Sequence, residues 1–196
     1  IPAFVAVTDG KVHDVNALDW IAFEPGAFYV MDRGYVDFAR LKRVDSARAY
    51  FVTRAKANMS FYVSVSRRVD KASGLRSDQT IRLNGPKTGK LYPDALRRIS
   101  YLDTETGKTL VFLTNNFEIE AIVVAKIYKA RWRIELFFKW IKQNLRIKSF
   151  YGHSENAVKT QIWIALCAYL LVAILNKTLG IEQSMSRILQ IISVNV

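Results

Sequence analysis

Tyr128, Arg131, Glu135 and Lys142 lie in a strongly apolar stretch with the spacing Y-(2)-R-(3)-E-(6)-K. At about 100° per residue on an α-helix, all four fall within roughly 60° of one another. One face then presents a phenol, a guanidinium, a carboxylate and an ammonium together. Their neighbours Ile127, Trp132, Ile134, Leu136, Phe137, Phe138, Trp140 and Ile141 are apolar nearly all round, which predicts a buried helix. A polar stripe on a buried helix must face something polar, and a metal-bound phosphate is one candidate. A second carboxylate, Asp32, ends the apolar run Ala27–Met31. Buried carboxylates are costly unless they are paired or bind metal. Mg²⁺ takes oxygen ligands, commonly carboxylates plus substrate phosphate. Two such ions about 4 Å apart activate an attacking oxygen and stabilise a leaving one. Sites of that kind usually draw on three or more carboxylates, and the sequence nominates two. Plainer roles stay open for both: Asp32-Arg33-Gly34 reads equally as a turn, and Glu135 as an ion-pair partner of Arg131 or Lys139.

The elements that must position these groups follow from pattern and punctuation. Val15–Trp20 reads as a short helix capped by Asp14, with His13 ordering the turn before it. Ala27–Met31 fits a buried parallel strand with Asp32 at its carboxyl end. Phe38–Val44 reads as a helix and Ala49–Thr53 as a second strand, so the opening of the chain is α/β. Phe61–Val65 and Thr80–Leu83 read as strands, and Arg98–Leu102 with Thr109–Leu113 as a hairpin turning at Thr104–Gly107. A long helix is expected from an Asn116 N-cap to about Leu145, with Glu118 and Glu120 in its first turn. Ser154 is placed to cap the next helix, and a last amphipathic segment follows Gly180.

Charge is unevenly spread over this plan. The chain has 29 Lys plus Arg against 17 Asp plus Glu, a net +12. Residues 54–98 hold eleven of the basic residues and three aspartates, so this stretch alone carries +8. The excess favours a polyanionic partner, nucleic acid or an anionic membrane surface. The expected organisation is 1–56 as the first part of an α/β core, 57–108 as a basic β-rich insertion, and 109–196 as the second part of the core with long helices.

The chain resembles a known family at several of these positions. Tyr128, Arg131, Glu135 and Lys142 resemble the Y-R-E-K signature of bacterial DDE transposases of the insertion-sequence-four family. Asp32-Arg33-Gly34-Tyr35 resembles that family's second-aspartate motif, and Thr53-Arg54-Ala55-Lys56 and Phe112-Leu113-Thr114-Asn115 are weaker likenesses. The resemblance implies a ribonuclease-H-like core interrupted by a β-rich insertion and followed by C-terminal helices. It implies Asp32 and Glu135 as catalytic, metal-binding acids for Mg²⁺ or Mn²⁺. It places Tyr128, Arg131, Lys142, Arg54 and Lys56 on DNA phosphates. Water would be the nucleophile for nicking and a DNA 3′-hydroxyl the nucleophile for strand transfer. The implied partners are double-stranded DNA, as element ends and target, and a second copy in a synaptic homodimer. The implied location is the bacterial cytoplasm, at the nucleoid. Alternatives are a catalytically dead DNA-binding remnant and another ribonuclease-H-like nuclease.

Some departures bear on that likeness. The family's first aspartate has no counterpart here, since Asp9 and Asp14 suit turn and cap roles. The chain starts within a strand-like run, Ile1–Val7, without Met, and is expected to be an internal fragment, inactive alone. Some relatives hold a flipped base with an insertion tryptophan. Here Phe61, Tyr62 or Tyr101 would have to stack instead, and core packing suits each. With two histidines, His13 and His153, zinc chemistry has no support, and the single Cys167 allows no disulfide within the chain. Ile162–Leu175 is uncharged but shorter than the roughly 20 residues of a membrane span, so it is expected to be a buried core helix, with no membrane as partner.

Overall fold

The structure is a computed structural model that describes residues 6–8, 11–144 and 154–194. The turn expected at Asp9–Gly10, most of the strand expected at 1–7, Gly152, expected to end the connection before Ser154, and His153 lie outside those residues. The chain divides into two units, Asp9–Arg131 and Trp132–Val196 together with Ile1–Thr8.

The first unit is mixed α/β. It is built on one six-stranded sheet in the order β1-β2-β6-β5-β4-β3. Strands β1 (Phe28–Met31) and β2 (Tyr50–Arg54) pair in parallel, with Met31 opposite Thr53. Parallel strands need a crossover, and α1 (Phe38–Ser46) supplies it, started by an Asp37 side chain that accepts from Arg40 N–H. The other strands, β3 (Phe61–Arg67), β4 (Leu75–Leu83), β5 (Leu96–Asp103) and β6 (Lys108–Thr114), are antiparallel to their neighbours. A one-turn helix, α2 (Thr88–Leu91), sits between β4 and β5. Residues 57–108 thus place three strands in the same sheet as β1, β2 and β6.

Alternation along the strands splits the core into two layers. Phe51 and Leu113 enter a cluster with Leu41, Val44 and Tyr92, while their neighbours Val52 and Phe112 enter one with Val124, Ala125 and Tyr128. Helix α3 (Ala121–Ala130) provides the last three of these, so it covers the face opposite α1. The edge strand β3 stays exposed, and Tyr62 (50%) is on the surface rather than in the core.

Local rules misplace three termini. Asp14 lies inside a 3₁₀ helix, Asp14–Asp19, whose N-cap position is His13, and no side chain caps it. Asn116 does not start the long helix. Its Oδ1 accepts from Glu118 and Ile119 N–H, turning the chain before α3 begins five residues later. The single long helix is two, α3 and α4 (Trp132–Asn144), separated at Arg131, whose N–H bonds the Tyr128 carbonyl at 3.0 Å.

The second unit holds α4, α5 (Glu155–Leu179) and α6 (Met185–Val194). Ser154 Oγ accepts from Ala157 N–H, as an N-cap should. Gly180 ends α5 at φ 59°, the left-handed conformation that a glycine takes without strain. Ile141 packs with Ala165 and Leu166, and Tyr169 meets Phe137 and Trp140 edge-on. Both helices are less covered than their apolar sequences predict. On α4, Trp132, Ile134, Leu136 and Phe138 are each about half exposed or more. On α5, Ile164, Leu171 and Ile174 are likewise open, and in length and composition this helix could cross a membrane.

Candidate active site at the carboxyl ends of β1 and β2

Side chains that follow the carboxyl ends of parallel strands project beyond the sheet, where α/β folds bind ligands. Asp32 is the residue after β1, and Arg54 is the last residue of β2. Arg54 lies two residues after Val52, on the sheet face covered by α3. The last turn of α3 brings Tyr128 to the same place. Its ring stacks at 4.9 Å on Phe112, and its hydroxyl donates to Asp32 Oδ1 at 3.5 Å. The Arg131 guanidinium lies 5.9 Å from the Tyr128 ring centre, within cation–π range. Burial pushes the Tyr128 hydroxyl above its ordinary pKa, and the Asp32 charge adds to this against Arg131 and Arg54. Tyr128 is therefore a hydrogen-bond donor at neutral pH, aimed at a carboxylate.

Asp32 is exposed rather than buried. Its Oδ1 accepts from Arg33 N–H at 2.6 Å, starting the 3₁₀ turn Arg33–Tyr35. Among the described residues its other oxygen, Oδ2, receives no hydrogen bond. A carboxylate with one oxygen oriented and the other open fits a single ligand of a hard divalent cation. Among the described residues, no three of His, Cys, Asp and Glu group closely enough to hold a metal. Gly34 adds room: a Cβ built there meets nothing within 4 Å, so packing does not demand a glycine beside Asp32.

Of the residues singled out from sequence, Asp32, Tyr128, Arg131 and Arg54 come together in the first unit. Lys56, two residues past β2, donates from Nζ to the Val36 carbonyl at 2.9 Å. Glu135 and Lys142 belong to α4 in the second unit, exposed and two turns apart on one side of that helix. The polar stripe is thus carried by two helices.

Some of the positive charge of 54–98 is spent inside the fold. Arg97 is buried and donates from Nε and Nη2 to Asp78 at 2.9 and 2.8 Å. Arg67 reaches Thr80 and Asp78, Arg82 the Pro93 carbonyl, and Arg98 the Gln79 side chain. Arg68, Lys71, Arg76, Lys87 and Lys90 remain exposed. Sequence reasoning missed one residue of consequence, Thr53. It is fully buried at the end of β2 and donates from Oγ1 to the Asp32 carbonyl at 3.2 Å. Its only signal was the Thr53-Arg54-Ala55-Lys56 likeness. The Phe112–Asn115 likeness also has a structural account. Asn115 accepts from Phe51 N–H and donates to Asp45 and the Ala49 carbonyl, tying β6 to β2 and α1.

Comparison with known proteins gives this geometry its setting. Residues 1–171 match the family described as transposase DDE domain. The chain belongs to the transposase DDE domain family. A Sinorhizobium fredii protein bearing a transposase name, y4zB, is 40% identical over 177 residues, 88% of this chain and 49% of that protein. A Geobacillus stearothermophilus protein named as a transposase for insertion sequence element IS5377 is 30% identical, over 88% of this chain and 45% of its own length. A Synechocystis protein named for element IS4SA is 30% identical, over 89% of this chain and 49% of its own. This DDE domain chain therefore spans about half the length of the relatives it matches. DDE domains work with divalent metal ions, which suits the half-open carboxylate of Asp32.

Proposed function

We propose that this chain is the catalytic core of a bacterial insertion-sequence transposase, which cleaves DNA strands at element ends and joins them to a target. The observation that carries the reading is the placement of Asp32, with one oxygen oriented and one open among the described residues, beside Tyr128, Arg54 and Arg131. In this reading Asp32 and Glu135 hold Mg²⁺ or Mn²⁺. Arg54, Arg131 and Lys142 hold phosphates, Arg by a bidentate fork and Lys as a point charge. The bound metal would activate the attacking oxygen and stabilise the leaving one. The core is ribonuclease-H-like, 57–108 is its basic insertion, and the exposed Arg68, Lys71 and Arg76 supply phosphate contacts along the duplex. The working form is a homodimer on DNA in the bacterial cytoplasm, at the nucleoid. In this reading neither Asp9 nor Asp14 fills the first metal-binding position, and the 196 residues alone bind DNA without cleaving it.

The test uses the full-length protein and a plasmid carrying the DNA that flanks its gene. Glu135→Gln and Asp32→Asn should each abolish Mg²⁺-dependent nicking and strand joining while DNA binding persists. Cleavage that survives either substitution removes that residue from the site. Nicking without joining to a 3′-hydroxyl would make the protein a nuclease instead.

A further inference from the structure

We propose that Thr53 and Lys56 are positioning residues that clamp the Asp32 loop from both ends, and that Lys56 acts through Asp32 rather than on DNA. The β1–β2 ladder ends at the pair Met31–Thr53. One residue further on, Asp32 has no strand partner to fix its backbone. Thr53 extends the ladder with a side chain, its Oγ1 donating to the Asp32 carbonyl at 3.2 Å. That carbonyl also accepts from Tyr35 N–H at 3.0 Å, so both its lone pairs are used. The 3₁₀ turn Arg33–Tyr35 then runs out at Val36. There the Lys56 ammonium donates to the Val36 carbonyl at 2.9 Å.

The spacing of the two clamps has a physical reason. Thr53 is buried within β2, whereas Lys56 comes after the strand has ended and needs a long side chain to reach back. Between the two anchors lie Asp32 to Val36, the segment that carries the Asp32 carboxylate, one oxygen of which is open among the described residues. A carboxylate serves a metal only where its rotamer and backbone are held, and groups that orient a ligand typically govern affinity by about 10–100-fold. The Thr53-Arg54-Ala55-Lys56 run therefore has two tasks. Its first and last residues hold the loop, and Arg54 between them faces the α3 side with Tyr128.

This inference rests on Asp32 being a metal ligand, so the experiment separates the two claims. The full-length protein is compared with Thr53→Val, Lys56→Met and Asp32→Asn variants. The measurements are the Mn²⁺ concentration for half-maximal nicking, bound Mn²⁺ by electron paramagnetic resonance, and the salt dependence of binding to the flanking duplex. A clamp predicts that Thr53→Val and Lys56→Met raise the Mn²⁺ requirement about tenfold or more. It also predicts weaker Mn²⁺ binding and an unchanged salt slope, with Thr53→Ser restoring the first two. A phosphate contact by Lys56 predicts an unchanged Mn²⁺ requirement and a salt slope shallower by about 0.9, and that result overturns the proposal. Should Thr53→Val fail to fold, the exposed Lys56 carries the test alone. If Asp32→Asn still binds Mn²⁺ and nicks, the metal reading itself fails. If Asp32→Asn is dead while both clamp variants match the parent, only the clamp fails.

Discussion

Asp32 and Asp78 lie in the same α/β unit and have opposite surroundings. Asp78 is buried in β4, and both its oxygens are taken by Arg97, with Arg67 alongside. Asp32 is exposed at the end of β1, with one oxygen oriented by Arg33 N–H and Tyr128 and the other open among the described residues. The Asp78 end of the sheet spends its charges on holding the fold, whereas the Asp32 end keeps charge available. The contrast also corrects the use of net charge. The basic excess of 54–98 is not all surface, because Arg97 is internal.

Breaking the Asp78 side should give the largest effect on stability. Arg97→Met leaves a buried carboxylate with the 3.4 Å Arg67 contact in place of two short bonds, and frees the carbonyl of Ile119, which Arg97 bonds at 2.6 Å. Removal of one member of a buried ion pair costs about 3–5 kcal/mol. Urea unfolding followed by circular dichroism should show a loss of that size. A loss under about 1 kcal/mol would mean that the pair is solvated and that the contrast with Asp32 does not hold.

Asn115→Ala should come next, at about 2 kcal/mol, because it orphans the Phe51 N–H inside the sheet. The same urea midpoint measures it. This prediction separates a structural motif from a catalytic one. If Asn115 only ties β6 to its neighbours, folded Asn115→Ala protein should keep its affinity for DNA.

What could be read in the sequence follows from the range of the interactions. The elements of the β5–β6 hairpin and of the β1–α1–β2 crossover, and Asp32 at a strand end, are each written in patterns of ten residues or fewer, and they appear as expected. The Asp78–Arg97 pair depends on the register of β4 against β5, in which Asp78 lies opposite Ile99 and Thr80 opposite Arg97. No local pattern sets that register. The helix face of Tyr128 was legible in the sequence and the resemblance put it on a phosphate, whereas its bond to Asp32 spans 96 residues. The exposure of α4 and α5 was missed for a related reason. Hydrophobicity shows that a face seeks cover but not whether cover is present.

A smaller effect should appear in acid. The Lys129 ammonium, helped by the Thr106 hydroxyl, holds the Asp103 carboxyl below the ordinary carboxylate range. A lowered folded-state pKa means that the interaction stabilises fully above the unfolded value of about 3.9. The contribution is lost as pH falls through the folded-state value. Lys129→Met should therefore flatten the loss of stability between about pH 4 and pH 2 and leave the unfolding midpoint at pH 7 lower than that of the parent. An acid limb identical to the parent's would show that the Lys129–Asp103 bond is not formed in solution.

The smallest expected change in stability belongs to Asp32→Asn, and it bears most directly on the contrast between the two aspartates. Asn keeps an oxygen that can accept from Arg33 N–H and is as good as Asp at starting a helical turn. It can also accept from the Tyr128 hydroxyl. The position is exposed, so no desolvated charge is left behind. The unfolding midpoint should stay within about 0.5 kcal/mol of the parent, while Mg²⁺-dependent cleavage by the full-length protein disappears. A stabilisation by Asp32→Asn would be informative too. It would mean that the Asp32 charge is strained in the absence of metal, as expected of a group kept for a ligand rather than for the fold. A destabilisation approaching that of Arg97→Met would instead place Asp32 with Asp78, as a carboxylate the fold cannot do without.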